Sequence, residues 1–197
     1  MFLADDVPSQ GLGKTERLLS RRSLVRLAGL AAAGVAIAPG AALAMLSAPY
    51  SPRRLRFFNL HTGERLDAVY FEKGRYVGQA LSEINYILRD FRENAIKPIH
   101  PALLDLVVAV RNRLGTDSEI AVISGYRTPQ TNAMLAAHSD GVARHSLHVD
   151  GMAIDCRVSG RTLEQLHRAA VSMRGGGVGY YPRSDFVHLD VGRVRYW

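Results

Sequence analysis

The chain has 197 residues and a formal net charge of +7; 47% of its residues are hydrophobic and 22% are charged. This balance is that of a globular protein, and it excludes an intrinsically disordered chain and a multi-pass membrane protein. Lysine and arginine form no dense tract with interleaved aromatic residues, so nucleic acid is not an expected partner. The positive charge suits an anionic surface or polymer, or serves solubility alone.

The first 44 residues have the layout of an export signal. Arg21-Arg22 precede an Ala/Gly/Leu-rich run, and Ala42-Leu43-Ala44 supplies the small residues that a signal peptidase requires. Paired arginines ahead of a weakly apolar stretch are typical of a twin-arginine signal. This signal predicts export of the folded protein by the Tat machinery.

A retained membrane anchor is the alternative to cleavage. The stretch from Leu27 to Leu46 carries no charge and is long enough to span a bilayer. Pro39-Gly40 interrupts it, however, and most of its residues are small. We therefore predict cleavage after Ala44, which leaves no stable membrane anchor.

The rest of the chain is predicted to combine short strands with amphipathic helices. Apolar residues recur at helical spacing over roughly 78–93 and again after Pro101, while alternation over 152–158 indicates a strand with one buried face. Thr62-Gly63 joins the first two strands as a hairpin. The other predictions are strands over 55–60, 67–71, 119–123, 177–181, 186–191 and 194–197, and helices beginning at Pro129 and after Thr162.

Helices thus precede and interrupt a set of short, closely spaced strands. This order predicts an α+β fold, a single domain in which helices flank a small antiparallel sheet. The predicted boundaries are a signal peptide over 1–44, a linker over 45–54 and the folded domain over 55–197.

Polar residues interrupt two of the predicted strands. His148 precedes a Gly turn, Asp155 lies on the polar face of the next strand, and His188 lies in a later one. Burying such groups costs free energy unless they are paired or bound to a metal. Two histidines and one aspartate on the small sheet would make a three-ligand zinc set that keeps its fourth position for water. Structural roles, or another divalent ion, are the alternatives that these residues leave open.

These residues fall in motifs of a known family. Ser146-x-His148-x-x-Gly151-x-Ala153-x-Asp155 resembles the SxHxxGxAxD motif of the M15 zinc D-alanyl peptidases, and Asp185-x-x-His188 resembles their (D/E)xxH motif. Further segments resemble the murein endopeptidase K branch of that family, in the same order over nearly the whole mature chain. They are 59–64, 88–92, 124–129, 176–181 and 186–192.

The resemblance implies a metal centre and an activity. His148, Asp155 and His188 would bind one Zn²⁺ per chain. The implied reaction is hydrolysis of peptide cross-links in peptidoglycan by a metal-activated water. The substrate would be the stem peptides of the wall. The export signal predicts the periplasm as the location, if the source cell has an outer membrane.

The resemblance also implies roles for three further residues. Asp185 would be the general base that takes a proton from the attacking water and passes it to the leaving amine. Arg127 would bind substrate and stabilise the developing oxyanion. Ser146 would hydrogen-bond the substrate peptide.

Two other functions use the same motifs. A D-alanyl dipeptidase or carboxypeptidase would favour small soluble peptides over intact cell wall. A non-catalytic wall-binding module would keep the metal for structure alone. Asp185 and Arg127 favour an enzyme, because a purely structural site gives them no evident role.

Two residues near the motifs have open or minor roles. Asp190 either orients a ligand imidazole or pairs with Arg193 or Arg195 at the surface. Cys156 is the only cysteine, so it has no partner for an internal disulfide. Its apolar neighbours predict a small buried hydrophobe rather than a nucleophile.

Overall fold

The structure is a computed structural model that describes residues 51–138, 143 and 145–197. The predicted signal peptide, its cleavage site and residues 45–50 of the predicted linker lie outside the described residues. In the described part of the chain, no helix has both the length and the apolar character needed to cross a membrane.

The described residues contain four helices and eight strands. Each helix and strand predicted from the sequence has a counterpart, and the two-residue β3 is an addition. In chain order the elements are β1 (Arg53–Asn59), β2 (Arg65–Glu72), β3 (Arg75–Tyr76), α1 (Gly78–Ile87), α2 (Pro101–Arg113), β4 (Ile120–Ser124), α3 (Pro129–His138), β5 (Ala153–Val158), α4 (Leu163–Met173), β6 (Gly177–Tyr181), β7 (Phe186–Asp190) and β8 (Arg195–Tyr196).

All eight strands form one mixed sheet, in the order β3-β2-β1-β4-β5-β7-β6-β8. β1 pairs with β4, and β6 with β8, in parallel, while the other neighbours are antiparallel. The predicted α+β class is confirmed, but the sheet is larger than the small antiparallel one expected. The β1–β4 pair is parallel because the chain crosses over between them through α1 and α2, a connection that strand patterns do not reveal.

One face of the sheet is covered by helices and holds the hydrophobic core. α1 contacts β2, α2 contacts β1, β5 and β7, and α4 contacts β5, β6 and β7. Side chains alternate along β5, so Ile154, Cys156 and Val158 enter this core while Asp155 and Arg157 point to the opposite face. The predicted metal ligand on β5 therefore lies on the face turned away from the core.

α1 ends at Ile87, well before the predicted end near residue 93. Asp90 turns the chain by pairing its backbone with that of Ala95. Its carboxylate accepts hydrogen bonds from the backbone N–H groups of Arg92 (3.0 Å) and Thr128 (2.8 Å). An aspartate that binds backbone donors favours a turn over a helix, so the apolar periodicity overestimated the length of α1.

Candidate metal centre

Three buried side chains converge on one point on the face of the sheet away from the core. His148 Nε2 lies 3.2 Å from both Asp155 Oδ1 and His188 Nδ1, and the latter two atoms are 2.9 Å apart. Among the described residues these three side chains form a group that could hold a metal ion. The structure thus brings the three predicted ligands together.

The strand register places two of the three donors. Asp155 on β5 pairs directly with His188 on β7, and on its other side it pairs with Ser124 on β4. Directly opposite residues on neighbouring strands project to the same face with their Cβ atoms about 5 Å apart. His148 comes from the turn before β5 and is only 1% exposed. The centre is therefore built on the middle of the sheet.

Each imidazole is oriented through its outer nitrogen. His148 Nδ1 lies 2.6 Å from the carbonyl oxygen of Gly125, and His188 Nε2 lies 2.9 Å from Asp190 Oδ2. In the neutral imidazoles the outer nitrogens donate their protons to these acceptors, which leaves lone pairs on the inner nitrogens. Two imidazole nitrogens and one carboxylate oxygen are donors that zinc binds, so the side chains fit the predicted ion.

The surroundings keep Asp155 ionised. Burial alone would raise the pKa of Asp155, but the two histidines and Arg127 outweigh burial and hold that pKa well below its usual range. Burial lowers the pKa of His148. Burial also opposes the charged form of His188, yet hydrogen bonds to Asp155 and Asp190 raise its pKa. A buried carboxylate that remains charged is suited to accept a cation.

Asp190 supports the centre from inside the protein. Its carboxylate, which is 0% exposed, accepts hydrogen bonds from His188 at 2.9 Å and from Arg195 Nη2 at 2.7 Å. The backbone N–H groups of Gly177 and Gly192 also donate to it, at 3.1 and 2.8 Å. Burial opposes its charge, but these donors hold the pKa of Asp190 below its usual range. Asp190 therefore does both things that the sequence left open: it orients His188 and it pairs with Arg195.

We expect Asp190→Asn to weaken zinc affinity by about 10- to 100-fold, because partners that orient ligand imidazoles contribute that much. The amide keeps the size of the side chain but loses the charge that faces His188 and Arg195. Affinity is measured by competition with a chromophoric chelator. The control is Asp117→Asn, which changes an exposed aspartate. Equal zinc affinities for the two variants would contradict this role for Asp190.

Arg127 and Ser146 both line a cavity of about 450 Å³ that contains the three donors. The guanidinium of Arg127 donates to Asp155 Oδ2 through Nη2 and to Ser124 Oγ through Nε, the latter at 2.8 Å. Ser146 Oγ accepts a hydrogen bond from the backbone N–H of His148 at 3.3 Å. The structure therefore brings both predicted substrate-binding residues to the centre.

Asp185 lies outside this cavity. It directly precedes β7 with a φ of +54°, and its carboxylate forms an ion pair with Arg157. Its side chain is 61% exposed. The lining of the metal cavity includes its neighbour Phe186 but not Asp185 itself. The predicted general base is thus held beside the centre rather than at it.

Aromatic side chains form one wall of the cavity, and Trp197 among them was not identified from the sequence. Its ring centroid lies 5.3 Å from that of His188, and its indole N–H donates to the hydroxyl of Tyr181 at 2.7 Å. Tyr181 in turn stacks on Phe186 with ring centroids 4.6 Å apart. Trp197 reaches this place because β8 pairs with β6, a partner that no pattern over 194–197 indicates.

Comparison with known proteins assigns the family. Residues 47–197 match the model of an M15 peptidase family described as peptidoglycan L,D-endopeptidase MepK. The chain belongs to this family. The predicted place among the M15 peptidases, in the murein endopeptidase K branch, is confirmed.

Two relatives show how far the similarity extends. The peptidoglycan L,D-endopeptidase MepK of Escherichia coli K12 is 47% identical over 178 residues, which cover 90% of this chain and 97% of that protein. The probable peptidoglycan L,D-endopeptidase MepK of Haemophilus influenzae is 41% identical over 179 residues, which cover 90% of this chain and 95% of that protein. No solved structure matches the chain.

The geometry explains the glycine of the first family motif. Gly151 has a φ of +67°, and a Cβ built on it would lie 2.5 Å from the carbonyl oxygen of Pro98. A side chain here would strain the backbone and also collide with another segment of main chain. Gly151 therefore allows the turn that carries His148 to pack closely against the segment before α2.

We expect Gly151→Ala to lower the free energy of unfolding by about 2–3 kcal/mol, since left-handed strain and a main-chain collision add. Urea unfolding of the metal-free protein measures the change. Gly160→Ala is the matched control, because Gly160 has a φ of +73° but no atom within 4 Å of the added Cβ. An equal loss of stability in both variants would mean that the contact with Pro98 does not constrain this position.

Cys156 is buried in the core, as predicted, and is 1% exposed. Burial, assisted by the charge of Asp155, raises the pKa of Cys156 to about 12. Its thiol therefore stays protonated at neutral pH, where only a thiolate would be an effective nucleophile.

Proposed function

We propose that the protein is an exported zinc-dependent murein endopeptidase that hydrolyses peptide cross-links of peptidoglycan. The observation that carries this proposal is the convergence of His148, Asp155 and His188 in a cavity also lined by Arg127 and Ser146. The relatives from Escherichia coli and Haemophilus influenzae are L,D-endopeptidases by name. The proposed scissile bond accordingly joins the carbonyl of an L-centre to the nitrogen of a D-centre.

One zinc ion per chain would be held by His148 Nε2, Asp155 Oδ1 and His188 Nδ1. When bound, zinc supplies a Lewis acid that polarises a carbonyl and lowers the pKa of water to about 7. The protein supports this chemistry by holding the donors in place: the carbonyl of Gly125 fixes His148, and Asp190 fixes His188. The donors are therefore organised in advance.

Arg127 stabilises the negative charge that develops on the carbonyl oxygen in the transition state. A fixed cation beside the reacting carbonyl is most effective where water is excluded. Arg127 is suited to this role because hydrogen bonds to Ser124 and Asp155 hold its guanidinium in place, and because its side chain is only 11% exposed. Ser146 hydrogen-bonds the substrate peptide along the same wall of the cavity.

Asp185 takes the proton from the attacking water and passes it to the leaving amine. A general base must come within hydrogen-bonding distance of the proton that it removes. In the structure the carboxylate of Asp185 is paired with Arg157. The role therefore requires the Asp185 side chain to leave Arg157 and to turn toward the metal cavity when substrate binds.

The proposed location follows from the substrate and from the first 44 residues. Peptidoglycan lies outside the cytoplasmic membrane, so the protein acts in the periplasm. The paired arginines Arg21-Arg22 and the small residues before Met45 support export by the Tat machinery followed by cleavage. After cleavage the protein would have no membrane anchor, and it would bind stem peptides rather than nucleic acid.

Digestion of intact sacculi tests this function. The purified zinc-loaded protein is incubated with sacculi, and the released muropeptides are analysed by mass spectrometry. We expect dimers with L,D cross-links to fall to monomers while dimers with D,D cross-links persist. If the protein binds zinc and sacculi but leaves every dimer intact, it is a non-catalytic wall-binding module. If it hydrolyses soluble D-alanyl peptides alone, it is a dipeptidase or carboxypeptidase.

A further inference from the structure

A second cavity is lined partly by side chains on the face of the sheet that carries the metal centre and partly by residues at the start of α4. It has a volume of about 440 Å³, and Phe58, Ala121 and Arg157 line it from three neighbouring strands. In the register, Phe58 on β1 pairs with Ala121 on β4, and Ala121 pairs with Arg157 on β5. These side chains therefore form one row across the face of the sheet that carries the metal centre.

Arg157 gives this cavity a cationic group that has unused hydrogen-bond donors. Its side chain is 38% exposed, and its Nη1 donates to Asp185. A guanidinium has five N–H donors, and this bond is the one that Arg157 makes within the described residues. Arg161 also lines the cavity, but its guanidinium donates to the backbone carbonyls of Leu114, Gly160 and Gly115. The charged side chains of the lining, Arg157, Arg161 and Asp185, have a net positive charge, and Arg157 supplies the free donors that suit an anionic ligand.

The position of Arg157 relative to the metal centre limits what that ligand can be. Asp155 and Arg157 lie two residues apart on β5 and project to the same face. A strand rises about 3.3 Å per residue, so their Cα atoms are about 7 Å apart. An extended peptide with one amide bond at the metal centre would place a group about two residues away beside Arg157.

We propose that this cavity is a substrate subsite in which Arg157 binds a free carboxylate of a peptidoglycan stem peptide. This proposal rests on the proposed function, because the stem peptide reaches Arg157 when the scissile bond lies at the metal centre. Stem peptides carry carboxylates that are not part of the peptide backbone. Arginine matches a planar carboxylate by forming two parallel hydrogen bonds.

Binding at this subsite also acts on Asp185. The incoming carboxylate places a second negative charge next to Asp185 at the same guanidinium, so repulsion between the two carboxylates weakens the ion pair that holds Asp185 beside the centre. Arg157 is thereby a specificity-determining residue that couples recognition of a substrate carboxylate to release of the proposed base. A substrate without that carboxylate would leave Asp185 paired with Arg157.

The test compares two L,D-cross-linked dimers that differ in whether their free carboxylates are amidated. The proteins are the wild type, Arg157→Gln and the control Arg168→Gln, which removes an exposed arginine that pairs with Glu164 on α4. A hydrogen bond to a charged group contributes enough for about a tenfold effect. We expect amidation to raise KM about tenfold for the wild type and the control. We expect Arg157→Gln to have that higher KM on both dimers.

Binding by the metal-free proteins, measured by calorimetry, separates this proposal from the proposed function. If the wild type cleaves neither dimer but binds the free-carboxylate dimer about tenfold more tightly, and Arg157→Gln does not, the carboxylate site stands and the endopeptidase function fails. If amidation changes KM and binding equally in the wild type and Arg157→Gln, Arg157 is only a partner of Asp185 and the subsite is overturned. The ion pair is exposed, so Arg157→Gln is expected to fold.

Discussion

The His148→Ala variant is expected to lose stoichiometric zinc binding and to cleave L,D-cross-linked dimers at least about a hundredfold more slowly than the wild type. Removing a residue that only orients a ligand costs about 10- to 100-fold. In the proposed centre His148 supplies a donor atom itself, 3.2 Å from each of the other two. Deleting one of three protein donors leaves an incomplete catalytic site, so the loss exceeds that range.

Metal content after gel filtration and the rate of dimer cleavage measure these two effects. The control is His167→Ala, because His167 stacks on Tyr180 with ring centroids 4.7 Å apart and supplies no donor to the centre. Urea unfolding shows whether each variant is folded. If the His148→Ala protein is folded, binds one zinc per chain and keeps full activity, His148 is not a metal ligand.

The Asp185→Ala variant is expected to keep its zinc and its fold while kcat falls by about 100- to 10,000-fold. Positioned general acids and bases contribute rate factors of that size. Stability should change by about 1 kcal/mol or less, because an exposed ion pair such as Asp185–Arg157 contributes little. The combination of full zinc content, unchanged unfolding and a large loss of kcat is specific to a residue that acts in the chemical step.

Asp67→Ala is the matched control for Asp185. Asp67 is also an exposed aspartate, 41% exposed, that pairs with an arginine of the same sheet, Arg54. Asp67→Ala removes the surface pairs with Arg54 and Arg56, and Asp185→Ala removes the surface pair with Arg157, but only Asp185 belongs to the second family motif. If the two variants retain the same kcat, Asp185 is a surface ion-pair residue and another group must transfer the proton.

Much of the fold could be predicted because apolar spacing reports directly on burial. Alternation over 152–158 indicated β5, whose residues Ile154, Cys156 and Val158 enter the core. Strand order is a different kind of information. The parallel pairing of Phe57 with Ile120 joins positions far apart in the chain. The apolar pattern of neither segment indicates which strand it pairs with. The extent of the sheet was therefore underestimated.

At the site, too, the sequence motifs identified the residues, but the position of a side chain relative to other strands could not be predicted. Motif spacing brought His148, Asp155 and His188 together as candidates, and the register of β5 and β7 places two of them side by side. The orientation of Asp185 could not be read from its motif. It depends on a left-handed backbone conformation and on Arg157, a residue of another strand.

The ends of the sheet affect how the protein behaves among its own copies. In the described part of the chain, the eight-stranded sheet ends on β3 and on β8, which have two residues each. Both of these strands begin with an arginine, Arg75 and Arg195. A long uncovered edge strand offers a row of unpaired N–H and C=O groups to another chain. A short, charged edge strand offers few such groups and so pairs poorly. The short strands β3 and β8, each with an arginine, therefore give another copy few groups to pair with, which disfavours edge-to-edge association through these two strands.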